Sequence, residues 1–407
     1  LLKKSKFDNI ILVVFMKKLL GLITILLTLS GCTRISDTLP KGVELELLKE
    51  VEVYNDASIK DILRDNNVEV LNKKDKINTN SLGSKDIEIE YKYNKKKYIY
   101  QTSIKVVDTE VPKILGGTNK TTLIGEEYNF CDHLFYGDNY DKKPKCDVEI
   151  DVDYEKVGTY TGDVIVTDSS GNKETKSIKL NVIKEYPKNN VTPKEVTPVL
   201  FSDVVSKHKT DNTLVGIDVS RWQKEIDFKS VKDAGCDFVI MRMGIQSHYD
   251  KEMSVDAYFE KNYENAKKNG LQVGIYMYSS ANTPKMVKKQ VKWMVKELKD
   301  KEFDLPVAYD WENWSKWSSY NMSFHDINEV YNAFKSELKK NKMDAMLYSS
   351  KYYLDNVWDT TDENNKVWLA HYTEKTNYQG NYYMWQLTSN GSIPGIEGYV
   401  DINVLYK

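Results

Sequence analysis

The stretch LQVGIYMYS (271–279), followed by PKMVKKQVKWMVKELKD (284–300), contains the structural unit that the second half of the chain repeats. The first segment is a short apolar run, which predicts a buried strand, and the second is amphipathic with a helical period. A buried strand followed by a helix of this kind implies parallel pairing with the next strand through a right-handed crossover.

The same alternation extends in both directions from this stretch. Seven further strands are predicted at LVGIDVS, DFVIMRMGI, LPVAYDWE, AMLYSS, VWLAHYT, YMWQLTS and YVDINVLY. Eight strands in about 195 residues suit a small closed barrel. Helical segments separate the first strands, whereas the last three have no room for full helices. The pattern predicts a TIM-like α/β barrel of the (βα)5β3 type over residues 213–407.

The region before the barrel has a different pattern of apolar and polar residues. From 41 to 184, short alternating runs are broken by turn residues, which is typical of all-β structure. Similar segments, TSIKV and KSIKL, recur at matching positions, so we expect two small β-sandwiches, at 41–108 and 109–184. The second resembles the immunoglobulin-like modules of exported bacterial proteins. Residues 185–212 combine proline, threonine and charge, which indicates a linker.

The N-terminal region predicts export. MKKLLGLITILLTLSGC (16–32) has two lysines, an apolar core and small residues before Cys32, as in a secretory signal. Leu-Ser-Gly-Cys resembles the lipobox of bacterial lipoproteins. We therefore expect an upstream mis-start at 1–15, a signal peptide at 16–31, lipidation of Cys32 and a tether at 32–40. The alternative is an uncleaved membrane anchor. The lipoprotein would face the cell wall from the outer side of the cell membrane.

The net charge and the cysteines limit the classes of function that the sequence supports. Lys and Arg total 58 against 60 Asp and Glu, a net charge of −2, so no basic field favours nucleic acid. No metal-binding motif is present, and we predict neither a metal nor a cofactor. Export permits a disulfide between Cys131 and Cys146, although the sequence leaves open whether it forms. Cys236, in an apolar run, is predicted to be a small buried residue.

Four carboxylates fall at strand positions where a barrel gathers its active site, namely the carboxyl ends of the strands. Asp218 follows the apolar start of the first strand, Asp310 and Glu312 close the fourth, and Asp401 lies in the last. Side chains two apart on a strand point the same way, so Asp310 and Glu312 can face one pocket. Four such acids at one edge of the barrel favour a catalytic site over the alternative, in which Asp310 and Glu312 are solvated loop acids.

The chemistry that such a set serves is glycoside cleavage, which needs a proton donor and a group that stabilises the oxocarbenium-like centre. Glu312 is the candidate donor, because Asp310 and the rings of Trp311 and Trp314 would raise its pKa. An i,i+2 pair is poorly placed to flank a sugar on both faces. Asp310 is therefore expected to orient a substrate acetamido group that acts as the nucleophile. Trp317 has no assigned role.

Motifs in this half of the chain resemble the glycoside hydrolase family 25 lysozymes. They are, in chain order, GIDVSRWQ, FVIMRMG, GIYMYS, PVAYDWEN, WLAHY and MWQLTSNGSIPGIEGYVDIN. The resemblance implies a (βα)5β3 barrel that cleaves the β-1,4 bond between N-acetylmuramic acid and N-acetylglucosamine in peptidoglycan. It implies that Glu312 is the acid/base, that Asp310 assists the acetamido group, and that Asp218 and Asp401 complete the acidic floor. One departure is Met277, where many members carry histidine.

Further residues are candidates for substrate binding because their rings, or a buried charge, lie near strand ends. They are Tyr276, Tyr278, Arg242, Trp368, Tyr372 and Trp385. For each ring the alternative is a core aromatic. For Arg242 the alternative is an ion pair with one of the floor acids.

The expected function is a lipid-anchored muramidase that acts on peptidoglycan glycan strands, with the β-modules as spacers. Two alternatives come from other classes, a wall-binding protein that has lost turnover and an adhesin whose β-modules are the functional part. Intact acids argue against the first, and no ligand motif in the β-modules supports the second.

Overall fold

A computed structural model of the protein describes residues 34–187, 197–299 and 301–407. The chain folds into two compact units, one ending at Thr109 and the other running from Glu110 to Lys407. The predicted signal peptide and Cys32 lie outside the described residues. Within the described ranges, no helix combines the length and the apolar character needed to cross a bilayer.

The first unit is built on a five-stranded sheet. The elements of this unit are β1 (Arg34–Ser36), β2 (Leu45–Leu47), β3 (Glu50–Glu52), α1 (Ile59–Ile62), β4 (Leu63–Asn66), β5 (Glu69–Val70), β6 (Gly83–Tyr93) and β7 (Lys96–Val107). A long antiparallel hairpin of β6 and β7 forms the centre of the sheet, with β5 beside β6 and with β1 and β3 beside β7. Strands β2 and β4 form a separate pair.

The second unit begins with a β-module, residues 110–183, which we call the second β-module. Its elements are β8 (Lys113–Ile114), β9 (Asn119–Leu123), α2 (Phe130–His133), β10 (Tyr136–Gly137), β11 (Lys145–Glu149), β12 (Gly158–Thr167) and β13 (Lys173–Ile183). Its main sheet has the order β11-β12-β13-β9, and β8 pairs with β10. Cys131 and Cys146 form a disulfide that closes the loop between α2 and β11.

The remainder of the second unit is a closed barrel of eight strands. They are β15 (Thr213–Val219), β16 (Phe238–Gln246), β18 (Gln272–Tyr278), β19 (Val307–Asp310), β20 (Ala345–Ser350), β21 (Lys366–Ala370), β22 (Met384–Ser392) and β23 (Val400–Tyr406). The first seven pair in parallel with their neighbours, and β23 closes the ring by antiparallel pairing with both β22 and β15. The short strand β17 (Met253–Val255) pairs with the end of β16 outside the ring. The predicted eight-stranded closed barrel is confirmed.

Part of the predicted linker 185–212 is regular structure attached to the barrel. Residues 188–196 lie outside the described residues, but β14 (Val199–Leu200) pairs with the end of β22, and α3 (Phe201–His208) follows directly. Phe201 and Val204 are buried in the outer core of the barrel. The two side chains explain the helix, since they give this charged stretch an apolar face.

Further helices connect the early strands and cover the outside of the barrel. They are α4 (Phe228–Asp233), α5 (Phe259–Lys268), α6 (Pro284–Leu298), α7 (Trp317–Tyr320), α8 (Phe324–Lys340) and α9 (Lys351–Asn356). The longest two begin at well-capped residues. Thr283 accepts a hydrogen bond at the start of α6, with Pro284 in its first turn, and Ser323 and Asp326 form a capping box at the start of α8. Between β21, β22 and β23 no described helix is present.

Alternation along the barrel strands produces two apolar layers. One set of side chains, including Ile240, Ala308 and Met346, fills the barrel interior. The opposite set, including Val239, Tyr309 and Leu347, packs under the surrounding helices. Because both faces of the barrel sheet are covered, the sequences of its strands are nearly continuous apolar runs.

Candidate active site

The four predicted acids lie at one edge of the barrel, where the parallel strands end. Asp218 is the penultimate residue of β15, and it pairs across the sheet with Asp401, the second residue of the antiparallel β23. Asp310 is the last residue of β19, and Glu312 follows two residues later. Closure of the barrel therefore brings together acids from the first strand, the fourth strand and the last.

Asp218 is the best hydrogen-bonded of the four acids. Its Oδ2 atom accepts hydrogen bonds from the side-chain amides of Gln386 and Asn403, each at 2.8 Å. Burial raises the pKa of Asp218 to about 6, although both amide donors act in the opposite direction. At neutral pH this buried carboxylate is held in its charged form by amide donors rather than by a cation.

Asp310 is buried and less well satisfied. Its Oδ1 atom is inaccessible to solvent and accepts no hydrogen bond from the described residues. Burial is the main cause that raises the pKa of Asp310, followed by the nearby Glu312 and Asp218 carboxylates, while Arg242 lowers it. A buried acceptor without a donor destabilises the folded protein. A ligand that donates an N–H group to this oxygen would remove that cost.

Glu312 and Asp401 complete the cluster. The Glu312 side chain reaches solvent, yet the surrounding walls of the site desolvate it, and this effect, followed by the charge of Asp218, raises its pKa. Burial, then Asp218 and Glu312, raises the pKa of Asp401 to about 8. The mutual influence of these carboxylates favours a proton held within the cluster at neutral pH.

Two residues that hold Asp218 were not predicted from the sequence. Gln386 not only donates to Asp218 but also accepts from the hydroxyls of Tyr348 and Tyr372, at 2.9 and 3.0 Å. Asn403 accepts from the indole N–H of Trp368 at 2.8 Å. A signal for both exists in the sequence, since each is an amide at an inward position of an otherwise apolar strand, and such a group needs a buried partner.

The predicted sugar-binding aromatics separate into two groups. Tyr276 and Tyr278 are half-buried on β18, and the acid cluster contributes to the raised pKa of both. Tyr372 is 55% exposed beside the cluster. These three rings are positioned to contact a ligand at the acidic edge.

Trp368 and Trp385, by contrast, are core residues. Each is at most 3% exposed, and each indole N–H is already bonded, to Asn403 for Trp368 and to the His371 carbonyl for Trp385. Their rings pack inside and outside the barrel wall, respectively. The expectation that they stack on sugars is corrected, because neither presents a free face.

Arg242, a candidate for substrate binding, forms an ion pair with Asp256. Its Nε and Nη2 atoms contact Oδ2 of Asp256 at 2.8 and 2.7 Å, and both side chains are buried. Asp256 also accepts from the backbone N–H of Arg221. The substrate-binding assignment of Arg242 is therefore corrected, because its guanidinium is taken up by Asp256, and so is the alternative of a floor acid as its partner. Arg242 still influences the site, because its charge lowers the pKa of Asp310.

The tryptophans on either side of Glu312 are buried. Trp311 and Trp314 are buried in the outer core, where Trp311 donates to the Ala281 carbonyl at 3.1 Å. Desolvation, followed by the charge of Asp218, raises the pKa of Glu312, and the contribution of these two rings to that desolvation stays a prediction.

Comparisons with known proteins find relatives of the barrel region. Residues 217–396 match the family described as Glycosyl hydrolases family 25. The chain is 29% identical over 195 residues to the uncharacterized protein YegX of Escherichia coli K12, covering 47% of this chain and 69% of that protein. It is 26% identical over 190 residues to the autolytic lysozyme of Clostridium acetobutylicum, covering 46% and 54%, respectively. A solved family 25 glycosyl hydrolase from Bacillus anthracis is 22% identical, with a TM-score of 0.42 and coverage of 49% and 92%.

Proposed function

We propose that the chain, whose residues 217–396 match the Glycosyl hydrolases family 25 model, is a glycoside hydrolase of the lysozyme type that cleaves the β-1,4 bond between N-acetylmuramic acid and N-acetylglucosamine in peptidoglycan. The observation that carries this choice of substrate is the buried Oδ1 atom of Asp310, which lacks a donor among the described residues. The N–H of a 2-acetamido group is a donor of the required kind. Glu312 lies two positions away, where a leaving glycosidic oxygen would be protonated.

In the first step, Glu312 donates its proton to the glycosidic oxygen, and the bond between that oxygen and C1 breaks. The carbonyl oxygen of the acetamido group on the sugar that contains C1 attacks C1. This attack forms an oxazolinium ring, whose N–H donates a hydrogen bond to Asp310. Desolvation and Asp218 raise the pKa of Glu312, which keeps its proton available. The N–H donor and Arg242 both favour the charged form of Asp310.

In the second step, Glu312 accepts a proton from water, and the water oxygen attacks C1 while the bond to the acetamido oxygen breaks. Two displacements at C1 give net retention of configuration. Asp218 acts on Glu312 through its charge, Asp401 keeps its proton beside them, and Tyr276, Tyr278 and Tyr372 would contact the sugar rings.

We also propose a domain architecture and a cellular location for the chain. The closed barrel would be of the (βα)5β3 TIM-like type, and the β-modules would be immunoglobulin-like spacers over 41–108 and 109–184. The chain would be exported and anchored through a lipid at Cys32, on the outer face of the membrane. The Cys131–Cys146 disulfide supports an oxidising compartment. The alternative of a non-catalytic wall-binding protein or adhesin is not favoured by the comparisons.

The test is the release of reducing ends from purified peptidoglycan by the full chain and by Glu312→Gln. Loss of the proton donor should lower kcat by roughly 10²- to 10⁴-fold, because general acid catalysis contributes a factor of that order. The matched control is Glu363→Gln, which neutralises an exposed glutamate in the loop before β21 and should leave kcat unchanged.

Borohydride reduction of the products identifies the sugar at the new reducing end, and NMR of fresh products identifies its anomer. Reduced muramic acid and a β-anomer are expected. Reduced glucosamine would contradict the proposed bond, an initial α-anomer would contradict retention, and equal turnover by the wild type and Glu312→Gln would contradict the role of Glu312.

A further inference from the structure

The connection that carries Glu312 leaves the barrel and contacts the second β-module. This connection, residues 311–323, is called here the β19–α8 loop. Its side chains Trp314, Trp317 and Tyr320 are buried although they lie outside the strand ring. Trp314 stacks on Tyr353 with ring centroids 4.0 Å apart, and Trp311 meets Trp314 edge to face at 4.7 Å.

The partner of this aromatic layer is a loop of the second β-module that the disulfide closes. This loop, residues 131–146, is called here the disulfide loop. Phe135 inserts its ring among Trp314, Trp317 and Phe324, at centroid distances of 5.8, 5.6 and 6.2 Å. Contacts of this geometry stabilise aromatic clusters beyond the burial of their area.

The disulfide loop also caps the helix that follows the β19–α8 loop. The first backbone N–H groups of α8 have no partner within the helix. The N–H of Phe324 donates to the Asp138 carbonyl at 2.7 Å, and the N–H of His325 donates to the Asn139 carbonyl at 3.3 Å. Lys142 adds an ion pair at 3.1 Å to Asp326, the acid of the capping box. The loop thus fixes both the rings and the backbone at the end of the connection.

The fit at this contact leaves no space for an additional atom. A Cβ placed on Gly137 would lie 2.6 Å from the ring of Phe324 and 3.1 Å from the indole nitrogen of Trp317. Gly137 is buried with an ordinary negative φ, so close packing rather than backbone conformation accounts for glycine here.

We propose that the disulfide loop of the second β-module positions the β19–α8 loop, with Phe135 as the positioning residue, and thereby holds Glu312 at its working place beside Asp310. The β-module is then a component of the active site's support and not a spacer alone. The inference rests on the proposed function for its kinetic consequence. Its structural consequence, the order of the β19–α8 loop, does not depend on that function.

The experiment compares Phe135→Ala with the wild type in the full chain, by kinetics on peptidoglycan fragments and by hydrogen exchange over residues 311–326. Small displacements of a catalytic group are costly, so kcat should fall by roughly 10- to 100-fold while KM changes less than about twofold. Exchange should become faster in residues 311–326 and stay unchanged in β15 and β23. Phe135→Leu, which keeps apolar volume, should recover most of kcat.

The matched control is Tyr160→Ala, in the same module. Tyr160 lies six residues along β12 from Val166, the partner of Cys146, so the two positions on this strand are about 20 Å apart. This variant should leave both kcat and the exchange of the β19–α8 loop unchanged. A similar loss of kcat in Tyr160→Ala would show general destabilisation and would overturn the inference.

Reduction of the disulfide in the folded wild type gives a second route should Phe135→Ala fail to fold. Reduction frees a loop with a sequence separation of 15 between its cysteines, and the other described cysteine, Cys236, is buried and already a thiol. Reduction should lower kcat and increase exchange in the same segment. Unchanged exchange in residues 311–326 would overturn the inference whatever the activity, whereas an inactive wild type would overturn the proposed function alone.

Discussion

At the level of single residues, the site depends on how each carboxylate is satisfied. Asp218 accepts two amide donors, whereas Asp310 retains an oxygen without a donor in the described chain. These different surroundings separate the chemical roles of two buried aspartates in one cluster. The four acids were predictable, because three of them follow apolar strand-like runs and Asp401 lies within the last predicted strand. The amides of Gln386 and Asn403 were not assigned, because their partner lies on another strand.

Asp401 supplies a prediction on stability. Its pKa is raised to about 8 from 3.8 by burial, Asp218 and Glu312, so the folded protein holds this proton more tightly than the unfolded chain. Protonation of Asp401 therefore contributes fully to the free energy of unfolding below pH 3.8. This contribution is lost as the pH rises through about 8. Asp401→Asn, neutral at every pH, should therefore gain in Tm relative to the wild type between pH 4 and 9, by ~2–4 °C for each kcal/mol recovered.

Thermal unfolding at a series of pH values measures this difference. Asp203→Asn, which changes an exposed carboxylate on α3, serves as the control and should follow the wild-type curve. If the curves of Asp401→Asn and the wild type run parallel from pH 4 to 9, Asp401 does not hold its proton in the folded state.

At the level of strands and helices, the position of the acids depends on close approach between neighbouring strands. Gly216 pairs with Phe238 across β15 and β16, two residues before Asp218. A Cβ at Gly216 would lie 2.4 Å from the Phe238 carbonyl oxygen. The strands were predictable from their apolar runs, but the need for glycine at this position follows from the pairing of β15 with β16.

Gly216→Ala should therefore destabilise the protein by about 1–3 kcal/mol, the usual cost of overpacking. Urea unfolding followed by tryptophan fluorescence measures the change in midpoint. Gly117→Ala is the matched control, because a Cβ there would meet no atom within 4 Å. Equal midpoints for Gly216→Ala and the wild type would mean that β15 and β16 can separate without cost.

At the level of the complete chain, the two β regions differ in their relation to the barrel. The first belongs to its own compact unit, whereas the second lies in one unit with the barrel. Phe135 and Gly137 contact the β19–α8 loop directly. Both regions were predicted alike as spacers, because the contacts of the second are made by a loop without catalytic residues.

A truncation series tests this difference. A chain that begins at Glu110 should keep kcat on soluble peptidoglycan fragments within about twofold, since all contacts of the disulfide loop remain. A chain that begins at Thr197 exposes Trp317 and Phe324, and it should lose activity and aggregate more readily. Light scattering and fragment kinetics measure both. Full activity in the shorter chain would contradict a supporting role for the second β-module.

The order of the barrel strands, the closed eight-stranded barrel and the four acids at its edge were predictable from the amino-acid sequence, because periodicity and strand ends are local properties. Three features required the folded chain: which aromatics are buried, the pairing of Arg242 with Asp256, and the contact of Trp314 and Trp317 with Phe135 of another module. The physical reason is that a side chain's surroundings are supplied by segments distant in sequence. Burial and hydrogen-bond partners therefore become defined when the barrel closes and the second β-module packs against it.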